Sequence, residues 1–192
     1  MATVNAVGNA LTGSTGSGAF VGATSPSLVT PTLGAATATS ITFSPTTGGI
    51  VGTTTNDNAS TSYVGEYVSS TVLVGSAVSL TNNTAANVTS ISLTAGDWDV
   101  WGNVGFNPNG ATTMSVLVAA INTTSATLPT SPATGGYNQL SVSFNTGGSN
   151  TLPAGMTRIS ISGTTTVYLI AYSSFGVSTN AAYGFIGARR VR

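Results

Sequence analysis

Asp57, Glu66, Asp97 and Asp99 face four arginines, Arg158, Arg189, Arg190 and Arg192, and these eight residues carry all the formal charge of a 192-residue chain. The chain has no histidine, cysteine or lysine. A Ser–His–Asp arrangement, a thiol nucleophile, a disulfide and the usual zinc ligand sets are therefore excluded. No two carboxylates sit in a recognisable acid–base motif, and a glycan depolymerase lacks the paired acids it needs. We expect no enzyme and no cofactor. Asp97 and Asp99 lie two apart and share a face of any strand, but Ca²⁺ takes six to eight oxygens and the neighbourhood offers few more. No metal is expected, and Asp97 is read as capping its own turn. The charges sum to zero, and three of the arginines crowd into the last four residues. That gives no basic face for nucleic acid.

The remaining chemistry is aromatic and amide. Both tryptophans fall in Leu93–Phe106, LTAGDWDVWGNVGF, where turn residues Ala95-Gly96-Asp97 lead into a period-2 pattern. Trp98, Val100, Gly102, Val104 and Phe106 share one face, and Asp99, Trp101, Asn103 and Gly105 share the other. Trp98 is expected in the core. Trp101, on the opposite face, is read as a subunit contact or a platform for a sugar ring. The sequons at Asn58, Asn82, Asn87 and Asn122 are read as chance in a chain rich in Asn, Ser and Thr.

Such residues must be held by strands. Beyond Tyr63 strand signals recur at Tyr63–Val74, Ala77–Leu80, Asn87–Thr94, Trp98–Phe106, Thr113–Asn122, Gln139–Phe144, Thr157–Ser162, Val167–Tyr172 and Ala182–Ala188. Turn residues separate them, among them Pro108-Asn109-Gly110, Gly147-Gly148 and Pro153-Ala154-Gly155. No helix of useful length is expected. The fold class is all-β, an antiparallel jelly-roll sandwich over 59–192. Ser115–Ile121 (SVLVAAI) and Val167–Ala171 (VYLIA) are apolar on both faces. A strand covered on both sides needs a second packing layer, and a homotrimer would supply it.

Residues 1–58 are different: almost uncharged, broken by Gly and Pro, with Phe20, Val21, Leu28, Val29, Leu33, Ile41 and Phe43 spaced along extended chain. Disordered segments are usually charged and poor in β-branched residues, so an extended segment ordered against other chains is expected, with these residues as anchors. Asn56–Ser62 is read as a linker. The first residues lack a basic start and a long apolar run, so no signal peptide is expected. No stretch approaches ~18 apolar residues, so no membrane span is expected.

Within that segment GAFVGATSPSLVTP, Gly18–Pro31, resembles a run common in tail-fibre and related virion proteins of tailed bacteriophages. The likeness extends over Asn9–Phe43, and the closing GFIGARRVR resembles the end of phage fibre heads. The order of elements, with LTAGDWDV leading into the tryptophan strand and AAYGFIGARRV last, is similar to the trimeric jelly-roll heads of phage fibres and to the C1q and tumour-necrosis-factor fold.

The resemblance implies a virion location, on tail or capsid surface, after assembly in the host cytoplasm. Its partners would be other virion proteins through the N-terminal segment, and a host surface glycan or protein. The expected function is a short trimeric tail fibre or spike whose head binds a receptor; the alternative is a capsid decoration or head-fibre protein. Recognition is assigned to loops, with Tyr137, Asn138, Asn145 and Asn150 as receptor-contact candidates beside Trp101. Arg189, Arg190 and Arg192 are read either as a solvated end or, as preferred here, as inter-subunit residues pairing with an Asp, Glu or terminal carboxylate of another copy.

Overall fold

The computed structural model describes residues 40, 42, 52–130 and 135–192. The chain divides into two units, Met1–Gly52 and Thr53–Arg192. The anchor candidates Phe20, Val21, Leu28, Val29, Leu33, Ile41 and Phe43 lie outside the described residues.

Among the described residues the second unit is built of ten strands and one short 3-10 turn at Val74–Ser76. One sheet runs β1 (Tyr67–Val72), β10 (Asn180–Arg190), β4 (Gly96–Pro108), with β7 (Asn150–Pro153) and β8 (Thr157–Ile161) sharing the far side of β4. The two-residue β2 (Val78–Ser79) extends the line of β1 along β10. The other sheet runs β3 (Ala86–Leu93), β9 (Thr165–Gly176), β5 (Thr113–Asn122), β6 (Tyr137–Ser141). All pairs are antiparallel. With β2 taken as the continuation of β1, and β7 with β8 as one interrupted strand, the chain-order arrangement is 1-8-3-6 against 2-7-4-5. That is a jelly roll.

The alternation read from the sequence holds. Trp98, Val100, Gly102, Val104 and Phe106 are all buried along β4, packed in one continuous core with Ile91, Leu93, Leu117 and Leu169 of the other sheet and with Ile186 of the neighbouring β10. Each fully buried aliphatic or phenyl side chain of this kind stabilises the fold by about 1.5–3 kcal/mol. The Trp98 indole N–H donates to the Thr94 carbonyl at 3.0 Å, so its polar edge is satisfied inside the core. Gly96 opens β4 at positive φ, and a Cβ there would overlap the Arg190 guanidinium.

β7 was not legible: Asn150–Pro153 falls within a segment read as loop, and it pairs with β4 from Phe106 to Asn103. Its proline ends an edge strand, where a missing N–H costs no ladder bond.

The second faces of SVLVAAI and VYLIA are covered within the chain itself. Val118, Ala120 and Ile170 are at most 1% exposed, beneath Tyr137, Tyr168, Tyr172 and Leu128. Tyr168 and Tyr172 flank Ile170 on the same face of β9, and their rings close over it. The two-faced apolar runs therefore do not call for a second copy, and the physical argument for a trimer cannot rest on them.

Asn56–Ser62 is not a free linker either. The Asn58 amide donates to the Tyr67 carbonyl and its oxygen accepts the Tyr67 N–H, both at 2.8 Å, imitating a strand partner. Among the described residues no helix is long and apolar enough to cross a membrane, which says nothing of strands.

Candidate functional site

The register fixes two ends of the sandwich. At the proximal end the chain enters β1 beside the last residues of β10, Tyr67 lying opposite Arg189 and Asp99 next in line. The β5–β6 loop is also here, because Tyr137 pairs with Ala120 near the end of β5. At the distal end lie the β4–β5 turn, the β6–β7 loop and the β9–β10 turn, bonded together. Thr112 Oγ1 donates to the Thr179 carbonyl at 2.6 Å, and the Gly147 N–H to the Thr112 carbonyl at 2.9 Å.

This separates the receptor-contact candidates. Tyr137 and Asn138 are half-buried at the proximal end of β6, the Tyr137 hydroxyl bonded to Gln139 at 2.6 Å. Asn145 is exposed in the distal β6–β7 loop. Asn150 opens β7 opposite Phe106, and its amide donates to the Gly148 carbonyl at 2.9 Å. The pairs stand at opposite ends and form no common surface. All four sequon asparagines have structural work: besides Asn58, Asn82 accepts the Phe175 N–H, Asn87 clasps Ser125 and the Ala126 N–H, and Asn122 bonds Thr127.

The proximal end concentrates the charge. Arg190 is 3% exposed, its Nε donating to Glu66 Oε2 at 2.9 Å and its Nη1 to the Ala95 carbonyl at 2.8 Å. A further bond reaches Thr94 Oγ1, and the guanidinium carbon sits 4.3 Å from the Trp98 ring centroid. Glu66 also accepts the Ser62 N–H at 2.8 Å. The expectation that Arg190 pairs with another copy is thus corrected: its side chain points into its own sandwich, and its partners are local. Sequence could not pair residues 124 apart.

Asp97 does not cap its turn. Arg158 grips it with Nε to Oδ1 at 2.7 Å and Nη2 to Oδ2 at 2.8 Å, and Arg192 Nε reaches Oδ2 at 3.0 Å. So Arg192 too is engaged within its chain. The Arg158 bond is foremost in holding the Asp97 carboxyl below its ordinary 3.8, with burial opposing and Arg192 assisting. A depressed folded value means stabilisation present above the unfolded pKa and lost as pH falls through the folded one. We expect wild type to lose melting temperature below about pH 4 and Asp97→Asn to lack that component. Melting curves from pH 2 to 7 check it; identical acid slopes in the two proteins would refute the assignment.

Arg189 and Asp99 remain. They oppose one another across β10 and β4 on the outer face of the first sheet. Neither makes a hydrogen bond or ion pair among the described residues, although Asp99 reinforces the charge of Arg158. The same face carries Tyr67, Trp101, Tyr183 and Phe185, all half-buried. The Tyr67 and Trp101 rings lie 6.0 Å apart at 32°. Tyr183 lies across Gly105, where a Cβ would overlap its ring. Beyond them a groove of about 600 Å³ runs past Phe185 to Leu73 and Val74, which are 71% and 53% exposed.

Among the described residues no group of three or more acidic, His or Cys side chains is placed to hold a metal ion. Fold and surface together define a jelly-roll domain with its charge gathered at one end and an aromatic outer sheet face. No family model and no curated protein matches the chain. Solved structures similar to it include that of the infectious bursal disease virus Gx strain, at 14% identity over 74% of this chain and 36% of that one, TM-score 0.40. Another is the infectious bursal disease virus VP2 subviral particle, at 13% identity over 74% and 37%, TM-score 0.39. The chain thus spans little more than a third of either. Likeness at this level carries no argument about what the chain does.

Proposed function

We propose that this chain is a non-enzymatic bacteriophage virion protein: a short trimeric tail fibre or spike. Residues 1–58 attach to the particle, and residues 59–192 form a head that meets a host surface receptor. The observation that carries the reading is the outer face of the β1–β10–β4 sheet. In a chain that is 4% charged, four half-buried aromatics and the exposed Leu73 and Val74 lie on or beside one sheet face. Apolar area of this kind marks an association surface. The face also carries Arg189 and Asp99, opposite one another in register and without an ion pair among the described residues. A head-to-tail contact closing into a ring matches each to its opposite on the next copy. In a C1q- or tumour-necrosis-factor-like trimer, three such faces surround the axis.

The chain enters β1 at the proximal end; with residues 1–58 attached to the particle, the distal loops are the ones that point outward in this reading, and the Gly18–Pro31 resemblance supports a phage particle. Of the receptor candidates, Asn145 and Asn150 are distal, and recognition is assigned to that end. An antibody raised against residues 142–149 is expected to label intact virions at the tail and to block adsorption. Label across the capsid with adsorption unchanged would replace this reading with capsid decoration.

A further inference from the structure

The distal end holds a second cavity, of about 320 Å³, at the small end of the range for ligand sites. It sits where β5 carries a bulge between Met114 and Val116. Bulges re-aim side chains and open the ladder locally. Here the Ser115 and Met114 carbonyls turn to the incoming β6–β7 loop, accepting the Val142 and Phe144 N–H groups, both at 3.1 Å. Phe144 and Phe175 border the cavity, each with part of its ring packed against the core. Met114, 3% exposed, also lines it.

Thr113, Ser115, Ser143 and Ser174 line the cavity as well, each bringing a hydroxyl, that of Ser174 from the face of β9 opposite to Phe175. None has a hydrogen-bond partner among the described residues. No charged residue lines the wall. The complement of two phenyl side chains, hydroxyls without partners and no charge is a neutral ring with one C–H face and several hydroxyls. An anion would find no cation here, and a peptide carboxylate or ammonium no counter-ion.

We infer that this cavity is a subsite for a neutral pyranose of a host surface glycan. The inference rests on the head being the receptor-facing part of the chain. It places recognition about Phe144 and Phe175, with Asn145 adjoining.

The test is a ¹H–¹⁵N titration of the full-length protein with methyl galactoside, methyl glucoside and N-acetylglucosamine, with N-acetylneuraminic acid as anionic control. At least one neutral sugar is expected to shift the amides of Ser115, Ser143, Ser174 and Phe175 saturably, the anionic sugar binding at least about tenfold more weakly for want of a cation. Ser143→Val, an exposed substitution that leaves the core intact, should weaken binding about fivefold, the worth of a hydrogen bond. Phe144→Leu should weaken it further. Absence of shifts with all three neutral sugars, or affinities unchanged in both variants, overturns the subsite. If adsorption requires the head yet no sugar binds, the subsite fails and the receptor-facing reading stands. If sugars bind as expected while deletion of the head leaves adsorption intact, that reading fails and the cavity remains a sugar site.

Discussion

Arg190→Met is expected to destabilise the sandwich by about 3–5 kcal/mol, because it leaves the Glu66 carboxylate buried without its cation. The side chain is 3% exposed and Glu66 is 7% exposed, so water cannot take over the lost bonds. The Ala95 carbonyl loses a donor as well, and the Trp98 ring loses the guanidinium stacked on it. Most of the loss is the cost of the orphaned charge, not the worth of the pair. Replacing both partners by apolar residues of similar volume, Glu66→Leu with Arg190→Met, should therefore recover much of it. Urea unfolding of the two single variants and the double variant measures this directly. Additive losses in the double variant would show that the pair is not the source.

The same cluster marks the boundary of what the sequence could show. Local pattern was legible: Thr113–Asn122 coincides with the observed strand, and the inward set from Trp98 to Phe106 is buried as the alternation requires. The jelly-roll class followed from strand number and turn spacing. Asn150–Pro153 escaped because a four-residue edge strand with one inward apolar residue, Leu152, gives no periodic signal. The double-sided apolar runs were seen, but not what covers them. Tyr168 and Tyr172, two positions either side of Ile170, carried that information, since a strand's i±2 neighbours share its face. The Glu66–Arg190 pair joins residues 124 apart in sequence at one end of the sandwich, and only the closed topology brings them together. The receptor candidates were chosen by loop length and polarity. Those properties cannot say at which end of a sandwich a loop emerges, so they group Tyr137 with Asn150 although the strand order sets the two apart.

The larger consequence lies on the outer sheet face. Trp101→Glu places a charge beside Tyr67, on the face that also carries Tyr183 and Phe185, where in an assembly it would be desolvated without a partner. Isolated buried charges are costly enough to abolish a contact of ordinary size. In one copy Trp101 is only half-buried, so the fold itself should tolerate the change. Arg189→Asp would set two carboxylates against each other across the same contact, and Asp99→Arg two cations. The combined reversal, Arg189→Asp with Asp99→Arg, restores opposite signs and should restore association.

Sedimentation equilibrium of the 192-residue chain at micromolar concentration decides whether the outer sheet face builds the trimer, with wild type, Trp101→Glu, Arg189→Asp and the double reversal side by side. Three times the 18.9 kDa chain mass is expected for wild type and the double reversal, and a folded single chain for Trp101→Glu and Arg189→Asp. A stable, folded wild-type monomer, or a trimer indifferent to both single substitutions, would contradict it.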